Sequence, residues 1–115
     1  MFTNYLRGLI AENIASTLLK LKFYKILEKR FKTKLGEIDI IAVKNKTLIF
    51  IEVKQRKNPE QFLDVISDTQ QKRIINSALI YLQRNPKYQN YDLRFDVIFI
   101  KFPWFVKHIR NAFIA

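Results

Sequence analysis

The sequence GEIDIIAVKNKTLIFIEVKQR, residues Gly36–Arg56, decides how this chain folds. Two short apolar runs rich in Ile, Val and Phe, Ile38–Val43 and Leu48–Val53, lie on either side of a polar link, Lys44–Thr47. Such runs close to a turn signal are typical of a β-hairpin. We take Asn45-Lys46 as a two-residue turn, and this choice fixes how the two strands align.

This turn brings acidic residues together. The predicted register puts Asp39 directly opposite Glu52, and Glu37 opposite Lys54. Directly opposed Cβ atoms of an antiparallel pair lie roughly 4.5–5.5 Å apart, and like charges placed so are destabilising. A divalent cation between the carboxylates would remove that penalty. The alternative is a surface hairpin in which Glu52 and Lys54 are only a polar pair on one face.

Asp39, Glu52 and Lys54 together offer the chemistry of phosphodiester cleavage. Mg²⁺ prefers oxygen ligands and is often bound by one or two carboxylates with retained water. Between Asp39 and Glu52 it could polarise a phosphodiester and lower the pKa of an attacking water. Lys54 follows Glu52 by two residues and so lies on the same face, where its ammonium could orient that water or neutralise charge on the phosphate.

The length and composition indicate one globular domain over residues 1–115. There is no cysteine, and so no disulfide framework or thiolate metal site. Arg7, Glu12 and Asn13 interrupt the apolar residues of the N-terminus. No stretch reaches the roughly 18 uninterrupted apolar residues of a spanning helix. We therefore expect a soluble cytoplasmic protein without a membrane partner.

The chain carries a large excess of positive charge. Lys and Arg number 21 against 10 Asp and Glu, which gives a net charge of +11. Such an excess favours a polyanion, either nucleic acid or an anionic membrane surface. The membrane surface is the weaker reading because no strongly basic amphipathic helix has a clean apolar face. A basic surface that is merely solvated is the remaining alternative. The cations predicted to contact nucleic acid are Lys34, Arg56, Lys57, Lys72 and Arg73.

A first helix is predicted from a cap at Thr3 or Asn4 to about residue 21. Its large apolar residues recur every three or four positions and are predicted to face the core: Leu6, Ile10, Ile14, Leu18 and Leu21. Gly8 costs about 1 kcal/mol there relative to Ala, which predicts close approach by another element or a ligand. Glu12 lies on a weakly apolar flank. It is either an exposed acid or, if that flank packs toward the hairpin, a third carboxylate of the site.

The remaining elements follow from capping residues and apolar runs. We expect an outer strand over residues 23–31, a break at Asn58-Pro59, and a loop over 60–66. A second helix begins at Ser67-Asp68 and ends before Pro86. Its predicted buried stripe is Ile74, Ala78, Tyr81 and Leu82. Gln70 lies on that face in the first turn, where it either caps the helix or points into a cleft.

A last core strand is predicted over residues 94–100, joined in parallel through the long second-helix connection. Asp96 within it is expected to be an edge or salt-bridge residue rather than a further acid of the site. Pro103 is expected to start a short amphipathic tail that contains Trp104. His108, the only histidine, is interpreted as structural or as a phosphate contact.

Several of these segments together resemble the YraN family of small bacterial proteins. They are Gly8-x-x-Ala11-Glu12, Gly36-Glu37-Ile38-Asp39, Phe50–Arg56, Ala78-x-x-Tyr81-Leu82, Arg94-Phe95-Asp96 and Asn111-Ala112-Phe113. That family resembles the restriction-endonuclease-like PD-(D/E)xK nucleases, and its layout is similar to that of archaeal Holliday junction resolvases. The resemblance implies an α/β fold with a central mixed β-sheet flanked by helices, in the order α-β-β-β-α-β plus a short C-terminal element.

The resemblance also implies roles for individual residues. It gives Asp39 and Glu52, with the carbonyl of Val53, to Mg²⁺ or Mn²⁺, Lys54 to the catalytic lysine, Glu12 to an accessory acid, and Gln70 to a position near the phosphate. The chain departs from the family pattern at two places. Ile38 rather than Pro precedes Asp39, and Gln70 stands where a Lys is expected, which weakens a phosphate contact.

The function implied is a metal-dependent endonuclease on branched or structured nucleic acid, with DNA favoured over RNA. Because junction resolvases act as dimers, the resemblance also points to a homodimer. The alternative is a non-catalytic nucleic-acid-binding module with a vestigial site. The presence of Asp39, Glu52 and Lys54 favours the enzyme, since a pure binder would gain from losing acids that repel phosphate.

Overall fold

The computed structural model describes residues 3–56, 66–101 and 105–115. The elements are α1 (Asn4–Leu21), β1 (Lys25–Thr33), β2 (Gly36–Lys44), β3 (Thr47–Gln55), α2 (Asp68–Arg84), a 3₁₀ turn (Pro86–Tyr88), β4 (Asp92–Lys101) and β5 (Phe105–Phe113). The strands form one sheet in the order β1-β2-β3-β4-β5. Only β3 and β4 are parallel in it, as the crossover through α2 predicts. This mixed sheet with two helices is consistent with the predicted restriction-endonuclease-like α/β fold.

The C-terminal segment differs from its prediction. Phe105–Phe113 is a full strand, β5, paired antiparallel with β4, and not an amphipathic tail. Its exposed and less exposed residues alternate only over the first four positions, so the period of two that marks a strand is interrupted. Some predictions fall outside the described residues: Lys57, the break at Asn58-Pro59, most of the loop over 60–66, Pro103 and Trp104.

The β2–β3 hairpin confirms the predicted turn. Asn45 and Lys46 have φ angles of 50° and 58°, the left-handed values that a two-residue hairpin turn of type I′ requires. Pairing then runs from Lys44 opposite Thr47 to Ile40 opposite Ile51, in the expected register. The central strands β3 and β4 are buried on both faces, which explains why they read as nearly continuous apolar runs.

The two helices cover opposite faces of this sheet. α2 packs its predicted stripe of Ile74, Ala78 and Tyr81 in a cluster with Phe50 and Phe95. α1 packs in a separate cluster on the other face, made of Ala11, Ala15, Leu19, Tyr24, Ile40, Ala42, Ile49, Ile51, Ile98 and Ile100. Both predicted helix caps are confirmed, by Thr3 and by Ser67. Among the helices that the structure describes, none is long and apolar enough to cross a membrane.

The predicted core face of α1 is wrong. The helix buries Ala11, Ala15 and Leu19, while Leu6 and Leu21 are 42% and 73% exposed. The two stripes lie one residue apart, which is a rotation of about 100° around the helix. Small side chains let the helix lie close to the sheet. The larger stripe instead lines a surface groove of about 460 Å³ beside β5: Ile10, Ile14, Leu18, Leu21 and Val106 with two polar residues.

The two glycines have different surroundings. Among the described residues no neighbouring element comes within 4 Å of where a Cβ of Gly8 would stand, so the predicted approach by another element is wrong, while the approach by a ligand stays a prediction. Gly36 is the position that does need a glycine. A Cβ there would lie 3.0 Å from both the Cβ and the carbonyl oxygen of Arg73, and 3.1 Å from Ser77 Oγ. Gly36 therefore lets α2 rest directly on the start of β2, which brings the first turn of α2 toward the hairpin.

Candidate metal centre

The site lies where β2 and β3 separate. Pairing between them ends at Ile40–Ile51, while β3 continues along β4 to Gln55 and β2 continues along β1 to Gly36. Each strand thus follows its other neighbour, and the two diverge. The ladder does not extend to the predicted direct pairs at Asp39 and beyond, so that part of the register prediction is wrong.

Asp39 fills the gap between the separating strands. Its Oδ2 accepts a hydrogen bond from the backbone N–H of Val53 at 2.7 Å. The carboxylate thus takes the position that a ladder carbonyl of β2 would have had. Ile38 and Ile40 pack into opposite clusters, although residues two apart on a regular strand share a face. The backbone of β2 is therefore rotated at Asp39, which turns its side chain toward β3.

Glu52 faces Asp39 across this gap. Burial raises the pKa of Glu52 most, a hydrogen bond with Asp39 raises it further, and repulsion from the charges of Asp39 and Glu37 adds to the effect. Lys54 lowers that pKa but does not offset the rest. The protein thus holds two carboxyl groups together without enough positive charge to ionise both. This is the juxtaposition that the hairpin predicted, reached through a splayed strand end rather than a ladder pair.

Gln70 joins the two sides of the site. It lies in the first turn of α2, and its Nε2 is 3.4 Å from Glu52 Oε2. Its Oε1 accepts from Lys54 Nζ at 3.3 Å. Of the two readings of Gln70, pointing into the cleft is therefore correct. The structure brings together five of the predicted site residues: Asp39, Glu52, Val53, Lys54 and Gln70.

Glu12 is not joined to this group. The flank of α1 that carries it does pack toward the sheet, but its carboxylate pairs with Arg30 of β1 at 3.0 Å. Arg30 lies on β1 between the residues paired with Ile38 and Ile40, and its φ is 54°, in the left-handed region. Within the described parts of the chain, no cluster of three or more His, Cys, Asp or Glu side chains could hold a metal ion. The accessory role of Glu12 stays a prediction.

The predicted nucleic-acid contacts lie around the hairpin and α2. Lys34, Lys72 and Arg73 are exposed, and Arg73 packs over Gly36, three residues before Asp39. Arg56 is half-buried and its Nη1 donates to the carbonyl of Gln55 at 2.7 Å. Lys34, Lys72 and Arg73 are thus accessible to a ligand, whereas Arg56 is partly used by its own backbone.

Sequence reasoning missed a second carboxylate cluster, around Asp96. This residue is fully buried on a central strand, so the expected edge position is wrong and the expected salt bridge is right. Arg94 donates to it from Nε and Nη2 at 2.9 Å each, His108 Nε2 lies 2.8 Å away, and the N–H of Asn111 donates at 2.9 Å. His108 is therefore structural. The spacing of Arg94 and Asp96, two residues apart on one strand, was the available signal.

Comparisons with known proteins agree with the motifs. A family model described as "Uncharacterised protein family UPF0102" matches residues 11–100, which include Asp39, Glu52, Lys54 and Gln70. A UPF0102 protein of Nitrobacter winogradskyi is 39% identical over 108 residues, covering 94% of this chain and 92% of the relative. One of a Bradyrhizobium species is 42% identical, covering 94% and 79%. One of Mesorhizobium japonicum is 37% identical over 110 residues, covering 95% and 87%.

Proposed function

We propose that this chain, which belongs to the uncharacterised protein family UPF0102, the YraN family that its motifs indicated, is a metal-dependent nuclease. Its substrate in this proposal is the phosphodiester backbone of DNA, in a branched or otherwise structured form. The observation that carries the proposal is the pair of facing carboxyl groups, Asp39 and Glu52, held between two separating strands. Membership of the family does not by itself supply an activity, so the proposal depends on the chemistry of the site.

The donor set fits a hard divalent cation. Facing carboxyl groups that raise the pKa of Glu52 cost stability, and folding alone gives no reason to keep them. Asp39 and Glu52, with the carbonyl of Val53, would hold Mg²⁺ or Mn²⁺, because such ions prefer carboxylate and carbonyl oxygens. When bound, the ion would polarise the phosphodiester and lower the pKa of a bound water.

The chain's own residues then divide the remaining work. Lys54 Nζ, held by Gln70 at 3.3 Å, is placed to orient the attacking water or to neutralise charge on the phosphate. Gln70 also fixes Glu52, so one amide sets the positions of an acid and a cation. Exposed cations beside the site would hold the backbone of the nucleic acid without reading its sequence: Lys34, Lys72 and Arg73, with Arg56 and Lys57 also proposed.

A non-catalytic nucleic-acid-binding module is the second candidate. One observation favours it: the position at the start of α2 carries neutral Gln70, where the resemblance leads us to expect a cation. In the module, the acid pair would only weaken binding to phosphate. A homodimer is compatible with either candidate and stays a prediction.

A cleavage assay separates the two candidates. Purified protein is incubated with duplex, single-stranded, flap and four-way-junction DNA in Mg²⁺, Mn²⁺ or EDTA, beside Asp39→Ala, Glu52→Gln and Lys54→Ala. We expect cleavage only with metal, and a loss of at least about a hundredfold in each variant. Lys32→Ala, an exposed lysine of β1, is the matched control and should cleave like the parent.

The outcomes have distinct meanings. Cleavage that continues in EDTA, or that survives in all three site variants, would remove the proposed active site. Binding without cleavage under every metal condition would establish the module. A measurement of DNA affinity without cleavage tests the position of Asp39, because Asp39→Ala removes a negative charge near the phosphate. Without metal it should bind DNA at least as tightly as the parent.

A further inference from the structure

The turn between α1 and β1 contains a residue in an unfavourable conformation. Phe23 has a φ of 69°, in the left-handed region. Its N–H donates to the carbonyl of Lys20 at 3.0 Å, and the N–H of Tyr24 donates to the carbonyl of Leu19 at 2.9 Å. This pair of bonds is the Schellman closure of a helix, in which the left-handed position is usually glycine because a Cβ is strained there.

The side chain of Phe23 gains nothing from the fold in return. It is 86% exposed, more than any other large hydrophobic residue that the structure describes, while Tyr24 and Leu19 on either side of the closure are buried together. An aromatic ring is thus held in solvent at a position where glycine would stabilise the turn. Such a residue is a candidate for contact with a ligand.

Four lysines lie on the turn that carries Phe23 or on the segments beside it: Lys20, Lys22, Lys25 and Lys44. Lys44 Nζ donates to the carbonyl of Lys22 at 2.8 Å, directly before Phe23, and lies 4.8 Å from the centre of the Tyr24 ring. Lys22 Nζ is 3.3 Å from Nδ1 of His108, whose Nε2 side contacts Asp96. Two further lysines next to the turn, Lys20 and Lys25, are exposed. Asp96, which His108 contacts, is fully buried and paired with Arg94, so it leaves the exposed lysines of this turn unpaired with it.

We propose that Phe23 and these lysines form a binding surface for single-stranded nucleic acid, which we call the Phe23 platform (Lys20, Lys22, Phe23, Lys25 and Lys44). A base would stack on the exposed ring while the ammonium groups contact the flanking phosphates. A duplex fits less well because its bases expose no free face for stacking. The inference rests on the proposed function only in taking nucleic acid as the partner, since stacking needs neither metal nor cleavage.

The Phe23 platform is separate from the acid pair. Lys44 lies at the turn of the hairpin, whereas Lys54 lies at the far end of β3. Lys54 lies seven residue steps beyond Thr47 along the strand, roughly 23 Å at about 3.3 Å per residue. A nucleic acid with a duplex part at the acid pair and an unpaired strand at Phe23 could therefore touch both ends of the hairpin at once.

The test measures DNA binding in EDTA, so that cleavage plays no part. An oligo-dT of roughly 16 nucleotides and a duplex of equal length are titrated by fluorescence anisotropy. The variants are Phe23→Gly, Phe23→Leu and Phe23→Trp, with Leu79→Ala, a half-exposed residue of α2, as the control. Thermal unfolding is recorded for each.

We expect Phe23→Gly to raise the Kd for oligo-dT by about five- to a hundredfold, since stacking contributes that much per base. Its Tm should not fall, because glycine is favoured at this position. Phe23→Leu should bind as weakly as Phe23→Gly, and Phe23→Trp as tightly as the parent. Should Phe23→Gly lose stability, the comparison of Leu with Trp still decides the matter.

Two results would overturn the proposal. One is oligo-dT affinity that all three variants retain. The other is full binding by Phe23→Leu, which would make the ring a general apolar contact, as for a protein partner. Failure of the nuclease proposal would look different, because absence of cleavage by the parent protein leaves these affinities unchanged.

Discussion

Two carboxyl sites in the same sheet have opposite surroundings: fully buried Asp96, and the half-buried pair of Asp39 and Glu52. Asp96, between β4 and β5, receives hydrogen bonds from Arg94 and Asn111 and contacts His108. Burial by itself would raise the pKa of Asp96, but the hydrogen bonds more than offset burial and the pKa is lowered. Glu52, between β2 and β3, faces another acid, and its pKa is raised.

The difference shows which acid serves the fold. Both carboxylate oxygens of Asp96 have hydrogen-bond partners within 2.9 Å, so groups of the protein itself balance the negative charge. The acid pair has fewer partners: the N–H of Val53 donates to Asp39, and the Gln70 amide and the Lys54 ammonium lie near Glu52. The negative charge of Asp96 is therefore balanced by its neighbours, whereas the charge of the pair of Asp39 and Glu52 is not. A site that lacks charge in its free state is one that can gain it from a ligand.

The largest effect should come from removing the acid that the fold uses. Asp96→Ala removes the acceptor of half-buried Arg94, buried His108 and the N–H of Asn111. We expect a loss of about 3–5 kcal/mol in the free energy of unfolding, measured with urea. Asp92→Ala, an exposed acid at the start of the same strand, should change it by less than about 0.5 kcal/mol. If both substitutions changed the free energy of unfolding equally, Asp96 would not be the acid that stabilises the fold.

The second effect is a dependence on pH with opposite sign in the two clusters. Asp96 has a lowered pKa, so its stabilisation is present above its ordinary value of 3.8 and is lost as the pH falls through the lowered one. Glu52 has a pKa raised from 4.5 to about 9. Its stabilisation is complete below 4.5 and is lost as the pH rises through about 9.

Urea titrations in EDTA over this pH range test the sign. We expect the stability of the parent protein to fall with rising pH, and Glu52→Gln to remove that slope, because glutamine cannot ionise. Addition of Mn²⁺ should restore stability most at high pH, since metal binds the ionised acids. A slope that Glu52→Gln leaves unchanged would show that another group carries it.

The two clusters also mark the limits of prediction from this sequence. The hairpin could be predicted because Asn45-Lys46 fixes its register locally, and the register brings Asp39 toward Glu52. Of the Asp96 cluster only the pair with Arg94 could be predicted, because Asn111 and His108 belong to β5, where the alternation of exposed and buried residues breaks off. Local turns are encoded in neighbouring residues, whereas this cluster depends on a pairing that only the folded sheet provides.

The error in α1 has a related cause. Two helical stripes, one of large residues through Ile14 and one of small residues through Ala15, run one position apart. Hydrophobic periodicity favours the stripe of large apolar residues, but the stripe of small residues packs on the sheet because small side chains allow a closer approach. Choosing between them requires the shape of the opposing surface. The same holds for Glu12, whose partner Arg30 lies on a different element.

The third effect uses the contact of the acid pair with α2, which Gln70 provides. Gly36→Ala would place a Cβ 3.0 Å from Arg73 backbone and side-chain atoms, so α2 must shift. We expect a loss of about 1–3 kcal/mol, as for overpacking in a core, and a weaker effect of Mn²⁺ on stability because Gln70 moves with α2. Gly8→Ala, where a Cβ meets open space, should instead gain up to about 1 kcal/mol. A gain in both variants would contradict the tight contact.

The smallest effect concerns the charge that the acid pair lacks. Gln70→Lys places an ammonium beside Glu52, which should lower the pKa of that carboxyl and reduce the pH-dependent loss of stability in EDTA, by about 1 kcal/mol or less since the position is half-exposed. Gln70→Ala removes the same contacts without adding charge, so it should leave the pH slope intact. If both substitutions flatten the slope equally, the amide contact and not the charge controls Glu52. If only Gln70→Lys flattens the slope, the acid pair behaves as a site that lacks one positive charge. Lys54 alone does not supply that charge, and a bound cation would.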